Sequence, residues 1–316
     1  MVPYPRLVGR NASAVAAGAV LLLAACGGGS GTPVAAPGPA VTSSAAPSTA
    51  APAAAPSTSD APHPTVPTRP SPSDTGVPAG TGATPAPDWL GTRELPVGPA
   101  GYPAARPTPP ELLDRRIVST DHLPPPADGR FRSAVTPVPP AVLRRSTWVA
   151  GCPVSVAELR YVTVGFRGFD GRAHTGELIV HRDVADAVVT VFSRLFAAGF
   201  PIERMRVTSP AEAAAPPTGD GNTTDGFVCR PIRGSTAWSA HAYGKAVDVD
   251  PFQNPYRSGS RVIPELATAY LDRGRERSGM ITASGPVVAA FRAVGWTWGG
   301  SWSSPKDYMH FSSTGH

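Results

Sequence analysis

Apolar residues recur with a clear period only in the second half of the chain. Tyr161–Phe166 and Gly176–His181 (GELIVH) alternate and are rich in β-formers. Period two predicts a pair of strands there, with Phe169-Asp170-Gly171-Arg172 as the turn between them. Val184, Val188, Val191, Phe192 and Leu195 fall at helical spacing, so 184–198 predicts a helix, capped by Asp183 and ended by Gly199. Ile202–Val207 reads as a further short strand, and 208–226 as a loop rich in glycine, threonine and proline. Ala246–Asp250 alternates again and predicts a strand with Asp248 and Asp250 on one face. Pro286–Val294 has helical spacing and stops at Gly295. Strands and helices mix without strict βαβ order, which predicts an α+β domain: a small antiparallel sheet with flanking helices.

The first half follows no such period. Most of the 39 prolines lie before residue 140, and the aromatic residues lie mainly after it. Arg6 and Arg10 precede an apolar run from Val15 to Ala25. That run is too short for a bilayer-spanning helix, which needs roughly 20 residues, but it has the length of a signal-peptide core. It ends in Leu23-Ala24-Ala25-Cys26, which resembles the bacterial lipobox. Residues 1–25 are therefore expected to be a lipoprotein signal peptide. Cys26 is expected to carry a lipid that anchors the exported chain to the outer face of the cytoplasmic membrane. Residues 26–87 have almost no apolar bulk and read as a disordered tether with a reach of roughly 45 Å or more. Residues 88–147 hold isolated Trp89, Leu95, Tyr102, Leu112 and Leu113 among prolines. They read as an extended arm packing on a domain at 148–316.

Export makes a disulfide between Cys152 and Cys229 the expected state of the two remaining cysteines. The net charge of +5 comes almost wholly from scattered arginines. Nothing in their spacing marks a nucleic-acid footprint.

The chemistry gathers in two segments. His241 and Asp248 lie seven residues apart in STAWSAHAYGKAVDVDPFQNPY, and Asp307-Tyr308-Met309-His310 lies near the end. A histidine from a turn and an acid from the following strand can give a divalent metal two ligands, and His310 a third. Two imidazoles and one carboxylate leave zinc an open fourth position, as catalytic rather than structural sites do. Asp307 is then placed to act as a proton acceptor. Asp250 is a candidate neighbour or competing ligand. His174, Glu177 and His181 form a second cluster, better read as packing or surface residues. Trp296, Trp298 and Trp302 are expected in the core and the cleft wall.

Ser239-x-His241-x-x-Gly244-x-Ala246-x-Asp248, followed by Asp307-x-x-His310, resembles the two motifs of the VanY-like zinc D-alanyl-D-alanine carboxypeptidases and L-alanyl-D-glutamate endopeptidases. Asn254-Pro255-Tyr256 and Gly295-Trp296-Thr297-Trp298-Gly299-Gly300 extend the likeness, taken to span about 150–312. The resemblance implies a Hedgehog-like zinc peptidase fold, with one Zn2+ on His241, Asp248 and His310 and Asp307 as general base. It also implies that Ser239 positions substrate and that Arg230 holds the substrate carbonyl or carboxylate. The implied substrate is the stem peptide of peptidoglycan, cut by a monomer facing the cell wall. Carboxypeptidase action is favoured over endopeptidase action, and a zinc-containing wall-binding module without turnover is the reading from another class.

Replacing Cys26 by serine is expected to shift the protein from the membrane fraction to the soluble fraction of lysed cells. A variant that stays with the membrane would remove the proposed anchor.

Overall fold

The computed structural model describes residues 82–99, 101–232 and 235–315. The signal peptide, Cys26 and most of the tether lie outside the described residues. The fold is mixed helix and strand with small antiparallel sheets, consistent with the α+β expectation. Among the described residues no helix is long and apolar enough to cross a membrane.

The first sheet is built from β1 (Ser133–Pro137), β2 (Leu159–Arg167) and β3 (Ala173–His181) in sequential antiparallel order. After β1 comes a short helix, α1 (Pro140–Arg145). Val162, Val164, Leu178 and Val180 are fully buried, as alternation predicts for one covered face. Their cover is α2 (Ala185–Ala197), whose Val188, Val191, Phe192 and Leu195 form the apolar stripe. Gly199 ends it in the left-handed conformation, φ 65°, which glycine adopts without a Cβ penalty. The start of α2 differs from expectation. Asp183 does not cap it but lies inside a 3-10 turn, Arg182–Val184, and its N–H donates to Nδ1 of His181 at 3.2 Å.

The same core continues into a second sheet of β4 (Ala246–Asp248), β9 (His310–Ser312) and β7 (Thr297–Trp298), with α4 (Pro286–Arg292) packed against α2 and β7. Phe311 stacks on Phe291 with centroids 3.9 Å apart. A third sheet orders β6 (Arg261–Ile263), β5 (Tyr256–Ser258) and β8 (Lys306–Asp307). A five-residue helix, α3 (Pro210–Ala214), interrupts the long loop before β4.

Two expected elements turn out otherwise. Residues 202–207 form no strand. Ile202 N–H donates to Arg167 O, Met205 forms an isolated bridge with Thr224, and the Met205 carbonyl accepts from the Glu177 N–H at 3.3 Å. The segment exchanges hydrogen bonds with several partners in turn, because Glu203 is drawn inward. The predicted strand 246–250 stops at Asp248. Asp250 takes a positive φ of 42°, and its Oδ1 accepts from the Glu203 N–H at 3.1 Å. It therefore does not share a face with Asp248. Burial pushes its carboxyl well above the usual range.

Glu203 is drawn in by Arg115, which lies in the segment read as an arm. Arg115 is 2% exposed and donates to both Glu203 oxygens at 2.7 and 2.6 Å and to Asp220 O at 2.8 Å. Its N–H meets Tyr270 Oη, and its carbonyl accepts from Gln253. Leu112 and Ile117 enter a core with Phe252, Leu266 and Tyr270. The segment thus supplies β1, α1 and buried side chains rather than resting on a finished surface.

Arg115→Ala leaves Glu203 as an unpaired buried charge, and such losses cost about 3–5 kcal/mol. Urea unfolding of the variant should show a loss of that size. A change under about 1 kcal/mol would mean that Glu203 finds another partner.

Candidate metal centre and cleft

Local sequence shapes the first part of the site. Ser239 caps the 3-10 turn Ala240–Tyr243, its Oγ accepting the His241 N–H at 3.3 Å. Gly244 closes the turn with φ 65°. A Cβ on Gly244 would lie 2.6 Å from the His181 backbone nitrogen, so the position requires glycine on both counts. The chain then enters β4, where Asp248 is paired directly opposite His310 on β9. Opposed residues of an antiparallel ladder have Cβ atoms about 5 Å apart on one face.

His241, Asp248 and His310 thereby converge. His241 Nε2 is 3.2 Å from His310 Nδ1, His310 Nδ1 is 3.0 Å from Asp248 Oδ1, and His241 Nε2 is 3.3 Å from Asp248 Oδ1. His241 Nδ1 lies 2.6 Å from Gly226 O. A carbonyl only accepts, so Nδ1 carries the proton and Nε2 turns a lone pair toward the other two donors. Three ligand atoms around a tetrahedral zinc at 2.0–2.1 Å would stand roughly 3.3 Å apart, so the donor set fits such an ion.

The electrostatics make the same demand. Burial disfavours charge throughout the cluster. Even so, the two imidazoles hold Asp248 well below the ordinary carboxylate range. His241, despite its own burial, is pushed up to about 9, chiefly by Asp248. The two imidazoles and the carboxylate thus favour a positive charge between them.

Asp307 reaches the site from another sheet. It lies on β8 opposite Tyr256 of β5, three residues ahead of His310. Gly299 packs against it so closely that a Cβ there would come within 2.6 Å of Asp307 O. Asp307 Oδ1 is buried and has no hydrogen-bond partner among the described residues. Burial, then the charge of Asp248, pushes its carboxyl up to about 7.

All four residues line one cleft of about 710 Å3, together with Ser239 and Arg230. Arg230 stands on that wall, and its backbone joins Ser239 through the Ser239 N–H to Arg230 O bond of 3.3 Å. Cys229, just before it, is bonded to Cys152 across 77 residues. In the chain-entropy model, closing a loop of that length stabilises the fold by about 4 kcal/mol.

Residues 233–313 match the family model for D-alanyl-D-alanine carboxypeptidase. That span holds Ser239, His241, Asp248, Asp307 and His310 but not Arg230 or the disulfide. It is also shorter than the likeness taken from the motifs, covering about a quarter of the chain. It supports a D-alanyl-D-alanine carboxypeptidase-like peptidase without fixing the subfamily. No solved structure matches the chain.

Other candidates fall outside the cleft. His174 is buried between Asp121 and Asp170. Glu177 binds Arg145 and Tyr161, and His181 faces Asp183. Trp296 sits in the core and Trp298 donates to Tyr308 O, whereas Trp302 lines the cleft 5.7 Å from the His310 ring. Sequence reading missed the Gly226 carbonyl, since every residue has one. It also missed Asp225, whose backbone pairs with Asp248 in both directions.

Gly244→Ala should both destabilise the protein and weaken metal binding, because the collision moves the turn that presents His241. Zinc titration of the refolded variant measures this. Unchanged affinity would show that His241 does not depend on the turn.

Proposed function

We propose that the protein is a zinc-dependent peptidase that hydrolyses peptidoglycan stem peptides, with D-alanyl-D-alanine carboxypeptidase-like specificity. The observation that carries the reading is the near-equilateral set of His241, Asp248 and His310 donors opening onto the cleft that Asp307 lines. The family match over 233–313 agrees with it.

In this proposal His241, Asp248 and His310 hold the ion and His241 is oriented by the Gly226 carbonyl. Zinc, when bound, supplies Lewis-acid polarisation and makes water acidic near neutral pH. Asp307 takes a proton from the attacking water and delivers it to the leaving amine. It is well placed for that transfer, because one carboxyl oxygen has no competing partner among the described residues. Burial and the charge of Asp248 also raise its affinity for a proton, in the direction that suits a general base. Arg230 offers a fixed positive charge to the developing oxyanion or to the terminal carboxylate of the substrate. Ser239 Oγ accepts from the backbone at His241, which leaves its own hydroxyl proton free to orient substrate. A lipid at Cys26 and the tether at 26–87 would hold this domain at the outer membrane face, within reach of the wall.

Asp307→Asn should retain one equivalent of zinc by elemental analysis while losing about 10²- to 10⁴-fold in turnover of muropeptides followed by mass spectrometry. His310→Ala should lose both metal and turnover. Chelation of the wild type should abolish cleavage, and added zinc should restore it. Full activity in Asp307→Asn would remove the proposed base.

A further inference from the structure

The cleft contains a second arginine. Arg261 lies on β6, where 261 and 263 share the face opposite buried Val262. Ile263 is paired with Tyr256 of β5, and Tyr256 with Asp307 of β8. One row across the third sheet therefore leads from the proposed base to Ile263, and Arg261 is two positions further along β6. With strands about 4.8 Å apart and about 3.4 Å per residue, the Cα of Arg261 lies roughly 12 Å from that of Asp307. Arg261, Ile263, Tyr256 and Asp307 all line the cleft.

The guanidinium of Arg261 is held in a defined way. Its Cζ lies 3.4 Å from the ring centroid of Tyr102. Tyr102 comes from a tight reversal in the proline-rich segment, closed by the Val97–Pro103 bridge and by the Gly98 N–H to Tyr102 O bond of 2.9 Å. That reversal is tied to the loop after β6. Arg106 N–H donates to Glu265 O, Thr108 Oγ1 to Leu266 O, and Thr268 Oγ1 to Arg106 O. Stacking on an aromatic face fixes the plane of a guanidinium without neutralising it and leaves its N–H edge available for a carboxylate. Arg115 is the contrast, since its charge is met by Glu203.

The charge balance of the cleft points the same way. Among the described residues that line it, the only carboxylates are Asp248 and Asp307, and both belong to the proposed reaction centre. Arg230 stands on the loop that presents His241, and Arg261 on the sheet that carries Asp307. The cleft thus offers two guanidinium groups on separate elements, one on the His241 side and one on the Asp307 side.

Resting on the peptidase reading above, we propose that Arg261, oriented by Tyr102, is a specificity-determining residue that binds a second substrate carboxylate upstream of the scissile bond. A carboxypeptidase has one residue beyond the bond it cuts, so a subsite on a strand whose backbone stands roughly 12 Å from the proposed base falls to the N-terminal side. At about 3.3 Å per extended residue, that carboxylate lies two to four residues before the cleaved bond. The substrate class is an acidic peptide, not merely one with a free C-terminus.

The test uses the zinc-loaded full chain and peptides ending in D-alanyl-D-alanine. Each carries either glutamate or glutamine two, three or four residues before the scissile bond. In the wild type, one glutamate peptide should be preferred over its glutamine twin. Arg261→Gln should raise KM for that peptide about ten- to hundredfold, as for loss of a charge-assisted hydrogen bond. Its kcat should change less than about threefold, and the glutamine peptide should be unaffected. Arg261→Lys should recover part of the preference. Equal losses on both twins, or none, would overturn the proposal. Calorimetric titration of the same peptides reads the preference without turnover. Tighter binding of the glutamate form, abolished in Arg261→Gln, would sustain the anion subsite even if no peptide were cut, and only the peptidase reading would then fail. Equal binding of the twins by the wild type would overturn the subsite whatever the activity.

Discussion

Asp248 and His310 face each other because β4 and β9 pair in one register, and that register is held from the opposite side of the sheet. Val247 and Phe311 form the neighbouring pair and point into the core, where Phe311 stacks on Phe291 of α4. A slip of one residue would turn Phe311 to the cleft and His310 to the core. The apolar packing of α2, α4 and the second sheet thus sets the spacing of the polar donors. The driving force is hydrophobic burial, about 1.5–3 kcal/mol for each large side chain. It also holds three electron-rich atoms close together, an arrangement that calls for a cation.

The centre is assembled where two sheets meet. His310 belongs to the sheet of β4 and β7, and Asp307 to that of β5 and β6. Two residues of chain, Tyr308 and Met309, join them, steadied by the Trp298 indole N–H donating to Tyr308 O at 2.8 Å. The proposed metal ligand and the proposed base are thereby given separate supports. The histidine inherits its position from the core, while the aspartate faces a buried wall with one oxygen unsatisfied, fitted against a glycine. An acid oxygen buried without a partner is costly to charge, and that burial, with the charge of Asp248, raises the carboxyl of half-buried Asp307 above the range of an exposed aspartate.

Legibility in the sequence followed the range of the interaction. The paired strands around 161–181, α2 and α4 were readable because period two and period 3.6 report burial of one face directly. His241, Asp248, Asp307 and His310 were readable because their residue types and spacing carry chemistry, and the structure brings the first two and the last within 3.0–3.3 Å of one another. Residues 202–207 misled because β-forming side chains say nothing of a buried Glu203 that turns the backbone toward Arg115. Asp250 misled because its positive φ breaks the alternation that placed it beside Asp248. The Gly226 carbonyl and the Arg261–Tyr102 stack depend on contacts between distant segments, and no local pattern announces them.

The interlock of Arg115 with Glu203, Asp220 and Gln253 has a bearing on what counts as the protein's working unit. The stretch whose motifs are recognisable occupies about a quarter of the chain. Yet a proline-rich strap far upstream of it closes part of the hydrophobic interior. Excision of the motif-bearing stretch alone would sever that strap and expose the cavity it plugs. The stretch that the family model matches and the body that closes around a shared core are here different lengths of polypeptide.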